Sequence, residues 1–253
     1  MDQTARVVRL GGAAITVADD YPTFWQKADA GRWEPGTLAV MAAVLGPDTL
    51  FLDLGAWIGP TSLFAAACGA RVIAVEADPA ALTALRRNIA ANPTLADRIT
   101  VLERAVHAQA GTVSFGARRK PGDSMSSTLL AAEASVTWSA ETVTPAELAA
   151  MVKPRERPVI KMDIEGGEYQ LLPVLAPLVA RPAAMVVVSF HPQIVSEARP
   201  QDSLAALSRA ALAPFAGWQA RRIGDAGAGE PQNTRELTAG TAYPDGEWLL
   251  TRT

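Results

Sequence analysis

Short, nearly continuous apolar runs alternate along this chain with longer amphipathic segments. The runs at Thr49–Leu54, Arg71–Glu76, Ile99–Leu102, Val159–Ile164 and Ala184–Phe190 each predict a buried strand. Between them, Pro60–Ala67 reads as a helix with proline in its first turn, and Pro79–Ala91 as a helix capped by Asp78. Strands separated by helices of this length imply βαβ units and a parallel sheet. Further along, Thr144 and Glu147 have capping-box spacing, and Ser203–Pro214 reads as another helix. Thr112–Phe115 predicts a short edge strand, and 217–223 and 247–252 predict two final strands. Segments 118–128 and 224–246 are rich in turn residues and read as loops. The stretch before Gly46 concentrates Tyr21, Phe24, Trp25 and Trp33, and is expected to form a helical cap over 1–46, packed on a main domain over 47–253.

Composition narrows the class. The chain has 253 residues, 49% hydrophobic and 19% charged, which suits one large folded domain and excludes a disordered chain. A net charge of −3 gives no basic footprint for nucleic acid. One cysteine, Cys68, excludes an intrachain disulfide and a cysteine-based zinc site, and points to the cytoplasm. The first residues carry no basic run leading into an apolar core, so no signal peptide is expected. The longest uncharged stretch, Leu54–Ala70, is broken by glycines and falls short of a membrane span.

The candidate chemistry gathers where the strands end. Asp53, Gly55, Ala56, Trp57 and Gly59 sit at the carboxyl end of the first predicted strand of the sheet. Glycines there allow a sharp turn and close backbone approach to a ligand, beside the free N–H groups of a helix start. The carboxylate of Asp53 suits a ligand with an ammonium group. About 20 residues on, Glu76 is placed to bind both hydroxyls of a ribose. The pair implies an adenosine ligand with an amino acid at its other end, and S-adenosylmethionine (SAM) fits that description. A dinucleotide is disfavoured, because the position two after Gly55 is the bulky Trp57.

In these motifs the chain resembles the FkbM family of SAM-dependent methyltransferases. Asp53–Gly59 matches an Asp-x-Gly-Ala-Asn-x-Gly pattern except at Trp57, and Val75–Pro79, with Glu76 and Ala77, matches a Val-Glu-Pro-like strand end. Lys161–Glu168 matches Lys-x-Asp-x-Glu-Gly-x-Glu throughout. Ser189-Phe190-His191 keeps the histidine of a Glu-x-His pattern and lacks its acid, and Trp33-Glu34-Pro35 also fits. The resemblance implies a Rossmann-like class I methyltransferase α/β fold: a mostly parallel seven-stranded sheet with an antiparallel last strand. It implies SAM at Asp53, Gly55, Ala56, Trp57, Gly59, Glu76 and Ala77, with adenine packed near Ala105 and Val106.

Asp163, Glu165, Glu168 and His191 would then converge at the carboxyl edge of the sheet, where the methyl group points. An alcohol nucleophile needs a base; His191 is one candidate and Asp163 another. The expected reaction is O-methylation of a hydroxyl on a small sugar or natural-product acceptor, with no nucleic-acid or membrane partner. Asp163, Glu165, Glu168 and His191 could instead hold Mg²⁺ or Mn²⁺, a reading the resemblance does not require. A non-catalytic SAM-binding or partner-binding module is the rival class, supported by Trp57 and Ser189.

Overall fold

In a computed structural model of the chain, which describes residues 5–18, 20–117, 120–122, 126–129, 131, 134 and 136–252, the first element is a hairpin. Strands β1 (Arg6–Leu10) and β2 (Ala13–Val17) pair antiparallel across Gly11 and Gly12, whose φ values of 55° and 91° suit a two-residue hairpin turn. Val8, Leu10, Ile15 and Val17 face inward. Helices α1 (Pro22–Asp29) and α2 (Pro35–Val44) follow. The expected helical cap over 1–46 therefore begins with a strand hairpin before its two helices. Its apolar residues join one core with Phe51, Leu63 and Phe64 of the sheet and its first helix.

From there the chain alternates strand and helix: β3 (Thr49–Leu54), α3 (Pro60–Ala67), β4 (Arg71–Glu76), α4 (Pro79–Ala90), α5 (Pro93–Ala96) and β5 (Ile99–Glu103). A side excursion forms β6 (Ala105–Val106), β7 (Thr112–Ala117), β8 (Ser126–Ser127) and β9 (Thr137–Val143). These make a separate four-stranded sheet, ordered β6-β9-β7-β8, where the sequence had shown only one edge strand. Arg118, Arg119 and Ser124 of the expected 118–128 loop lie outside the described residues. After α6 (Pro145–Ala150), with its Thr144–Glu147 capping box, come β10 (Arg157–Met162), α7 (Glu168–Leu171), α8 (Ala176–Val179) and β11 (Met185–Phe190). Helices α9 (Pro192–Ala198) and α10 (Leu204–Leu212) lead to β12 (Gln219–Gly224), β13 (Gly227–Ala228), β14 (Gln232–Asn233) and β15 (Gly246–Thr251).

The main sheet is mixed and ordered β13-β12-β15-β11-β10-β3-β4-β5, with β14 also on β12. From β11 to β5 every pairing is parallel; β15 runs antiparallel to both neighbours. The strand count is nine rather than seven, because the two-residue β13 and β14 form inside the expected 224–246 loop.

Alternation along the strands sorts the faces. Leu50, Leu52 and Leu54 enter one core with Leu172, Leu175 and Phe215, while Phe51 enters the other with the N-terminal segment. Each such fully buried side chain contributes about 1.5–3 kcal/mol. Asp53 shares the Phe51 face, and β3 pairs it directly with Lys161 of β10. No helix among the described residues is long and apolar enough to cross a membrane.

Candidate active site

The carboxyl edge of the sheet opens into a cleft of about 920 Å³, counting its open mouth. Gly55, Trp57, Glu76, Ala77 and Ala105 line it, and so do Asp163 and Glu165. Asp53, Ala56, Gly59, Glu168 and His191 do not form its wall.

The glycines earn their places by close approach. Gly55 has φ 86°, and a Cβ there would meet the Asp163 carbonyl oxygen at 2.2 Å. Gly59, at φ 88°, would meet Leu85 of α4 at 2.4 Å. Gly55 thus brings the ends of β3 and β10 together, and Gly59 lets α3 start beneath α4. Asp53 is fully buried and accepts hydrogen bonds from the Thr61 and Ser62 hydroxyls at 2.7 and 2.6 Å. It braces the turn into α3 from behind. Expected to meet a ligand ammonium, Asp53 does not line the cleft, and its Oδ1 is buried without a hydrogen-bond partner among the described residues. Burial pushes its carboxyl up, against the opposing charge of Lys161.

Glu76 ends β4 with its carboxylate fixed by the backbone. It accepts from the N–H groups of Trp57 (2.7 Å), Ala77 (2.8 Å) and Asp78 (2.7 Å). A carboxylate has about four acceptor positions, so these three leave one open, on Oε2. Burial pushes its pKa up to about 7, while the three N–H groups pull it down.

Around this end lie residues that the sequence reading missed. His107 lines the cleft with Ala105 and Val106. Phe115 lines it too, stacked on Trp138 at 5.8 Å, and the Trp138 indole donates to the Ala77 carbonyl at 3.0 Å. Only the pairing of β7 with β9 brings Phe115 and Trp138 together, so no local pattern marks them.

Trp57 stands in the left-handed region, at φ 48°. Its ring makes edge contacts with Tyr21 at 5.3 Å and Phe24 at 4.7 Å. Its indole N–H donates to the Gly122 carbonyl at 2.9 Å, and the Tyr21 hydroxyl donates to the same oxygen at 3.0 Å. Gly122 N–H in turn donates to Asp78 at 2.7 Å. Asp78 also caps α4 and accepts from Ser126, so one buried carboxylate ties the helix start to the segment across the cleft.

At the other end, Asp163 follows β10 and His191 follows β11. Lys161, 3% exposed, donates to Asp163 Oδ2 at 2.9 Å. His191 Nε2 lies 3.6 Å from Asp163 Oδ1 and 3.9 Å from Glu165 Oε2, and Nδ1 lies 3.2 Å from Glu168 Oε1. Glu168 is fully buried and held by the N–H groups of Ile164 and Gly166, each at 2.9 Å. Burial opposes charge on His191, but the Glu168 hydrogen bond and the charges of Glu168, Asp163 and Glu165 hold its pKa up, at about 9. Burial would raise Asp163, yet Lys161 and His191 outweigh it and keep its carboxyl below the usual range. A pKa held up at about 9 favours the protonated ring at neutral pH and speaks against His191 as the general base.

A second acidic pair flanks this end. β15 pairs Glu247 with Ser189 of β11, Thr37 donates a short hydrogen bond to Glu247, and Glu247 is hydrogen-bonded to Glu34. The acid missing at Ser189 thus has a carboxylate on the next strand, a placement that only sheet register reveals. Glu34 is pushed up to about 8, by burial first and then by Glu247 and Asp163, against Lys161.

Sheet order, the glycine turn and acids at strand ends define the α/β fold of class I SAM-dependent methyltransferases. The FkbM methyltransferase domain model matches residues 52–208, more than half of the chain, and the chain belongs to that family. Among solved structures it is similar to the FkbM methyltransferase of Methylobacillus flagellatus, at 18% identity and TM-score 0.50. That match covers 92% of this chain and 56% of the other. It is also similar to a putative transferase of Pyrococcus horikoshii, at 17% identity and TM-score 0.46, covering 100% of this chain and 73% of the other. The P. horikoshii protein TYW2, in complex with MeSAdo, matches at 19% identity and TM-score 0.43, over 99% and 70% of the two chains. A comparison with curated proteins gives no match.

Proposed function

We propose that the chain transfers the methyl group of SAM to a hydroxyl of a small acceptor, a sugar unit or natural-product alcohol, in the cytoplasm. One observation carries this reading: a single cleft joins Glu76 and Ala105 at one end to Asp163 and Glu165 at the other. The residues fit the donor. Gly55 lines the cleft at the sharp turn after β3, and Glu76 keeps one acceptor position for a ribose hydroxyl. Gly55, Trp57, Glu76, Ala77 and Ala105 would hold SAM directly, with Asp53, Ala56 and Gly59 shaping the turn behind it. SAM supplies an electrophilic methyl group on a sulfonium. The chain's own work is to orient the acceptor oxygen about 3 Å from that carbon. Asp163 would orient the acceptor hydroxyl and accept its proton as the oxygen takes the methyl group, with Glu165 beside it, while His191 and Glu168 set the charge around them. The rival binding-module reading drew on Trp57, but the indole packs sideways on Tyr21 and Phe24 and leaves the cleft open.

Calorimetric titration with SAM, its demethylated product and NAD⁺ tests the donor. Binding of the first two and not of NAD⁺ is expected. Glu76→Ala removes a charge-assisted hydrogen bond of about 1.5–3 kcal/mol, and should weaken SAM by about 10- to 100-fold. Unchanged affinity in that variant would sink the ribose assignment. Label transfer from methyl-labelled SAM to a panel of polyhydroxylated acceptors then tests turnover.

A further inference from the structure

We propose that Asp163, Glu165 and His191 together bind one divalent cation of the Mg²⁺ or Mn²⁺ kind. One ligand atom from each lies within 4.8 Å of the other two. An octahedral ion with bonds of about 2.1 Å sets adjacent ligand atoms roughly 3 Å apart. His191 Nε2, at 3.6 Å from Asp163 Oδ1 and 3.9 Å from Glu165 Oε2, needs only a contraction of under ~1 Å to reach that spacing. Two carboxylates and one imidazole, with no thiol near, form a hard ligand set.

The surroundings point the ligands inward. Glu168 takes Nδ1 of His191 and leaves Nε2 facing the two carboxylates, an arrangement that typically orients a metal-bound histidine. Two backbone N–H groups lock Glu168 in turn. Lys161 occupies Asp163 Oδ2 and leaves Oδ1 for the ion. A separate observation comes from Ser189. It is 6% exposed, and its hydroxyl oxygen is buried without a hydrogen-bond partner. Ser189 lies next to last in β11, two residues before His191, and a water carried by the ion would satisfy its hydroxyl. Asp163, Glu165 and His191 are each only half-buried, so the remaining coordination positions open toward the cleft. There the ion would hold adjacent hydroxyls of the acceptor, a consequence that rests on the methyltransferase reading. Binding of the ion itself does not.

The test uses the full chain without SAM or acceptor. Mn²⁺ is titrated at pH 7.5 and its free fraction followed by electron paramagnetic resonance, with Mg²⁺ as competitor. One bound Mn²⁺ per chain, displaced by Mg²⁺, is expected, and Asp163→Asn or Glu165→Gln should weaken it at least about tenfold. The chain has two histidines, His107 and His191, which supplies an internal control that needs no substitution. With ring-labelled histidine, Mg²⁺ should shift the His191 nitrogens and leave those of His107 in place. No binding at millimolar Mn²⁺ overturns the site, and so does binding that leaves His191 unshifted or the variants unaffected. SAM calorimetry on the same sample separates the two claims: loss of SAM binding with Mn²⁺ binding intact defeats the donor reading alone.

Discussion

Glu76 and Asp163 are carboxylates at the carboxyl edge of the same sheet, on opposite ends of one cleft, yet their acidities move apart. Glu76 is held by three backbone N–H groups, with no ion pair to it among the described residues, and burial pushes it up to about 7. Asp163 is half-buried, and the Lys161 ammonium and the His191 imidazole outweigh its lost hydration and pull it below the usual range. The dipoles of fixed N–H groups position a carboxylate without fully offsetting its lost hydration, whereas a full charge at 2.9 Å does offset it. The Glu76 end is therefore built to hold a neutral, hydroxyl-bearing group. The Asp163 end is built to keep several charges together beside the reacting centre.

Lys161 sustains that contrast, and removing it is the most damaging way to break it. Asp163, Glu34 and Asp53 all raise the Lys161 pKa against its burial, so the three acids share one cation. Lys161→Met leaves them without it. Breaking a buried pair on one side costs about 3–5 kcal/mol, and a loss of that size is expected in denaturant unfolding at pH 7.5. A loss below about 1 kcal/mol would mean that the acids are kept by their own protons and not by Lys161.

Glu34 sits where the two regimes meet, since Lys161 pulls it down while burial and Glu247 push it up to about 8. Its folded pKa lies above the unfolded value. Its contribution to stability is therefore complete below about pH 4.5 and drains away as the pH rises through 8, at about 1.4 kcal/mol per unit. Glu34→Gln keeps a donor toward Glu247 and cannot ionise. The variant should match the parent chain near pH 5 and exceed its stability near pH 9. Melting temperatures across that range decide it; parallel curves for the two proteins would show that Lys161, not burial, governs Glu34.

Much of the sheet was legible because apolar runs stop at acids. Asp53, Glu76 and Asp163 all mark strand ends, and β3, β4, β10 and β11 form close to where the pattern places them. Asp78 and Thr144 cap the helices that their spacing announced. The N-terminal hairpin carried a readable signal that the aromatic residues obscured: Gly11-Gly12 between two runs whose alternate residues are apolar. The rest had no local signal. Glu247 reaches Ser189 only through the β11–β15 register, and Lys161 meets Glu34 only because α2 packs over that face. Asp53 was only partly legible for a related reason. The sequence shows an acid at a glycine turn but not the Thr61 and Ser62 hydroxyls that turn its side chain inward.

Trp57 offers the finest test of the Glu76 end, where backbone groups and rings do the holding. The Gly122 carbonyl accepts from both the Trp57 indole and the Tyr21 hydroxyl, so losing one donor does not orphan it. Trp57→Phe keeps a ring against Phe24 and Tyr21 and removes only the N–H. The expected cost is about 0.5–1.5 kcal/mol, toward the lower bound because Tyr21 remains. Affinity for SAM should be unchanged, since the backbone N–H of residue 57 still fixes Glu76. Thermal unfolding and SAM calorimetry on the same preparation measure both quantities. If SAM binding falls while stability holds, the indole N–H serves the ligand directly, and the end of the cleft assigned to backbone contacts would depend on a side chain after all.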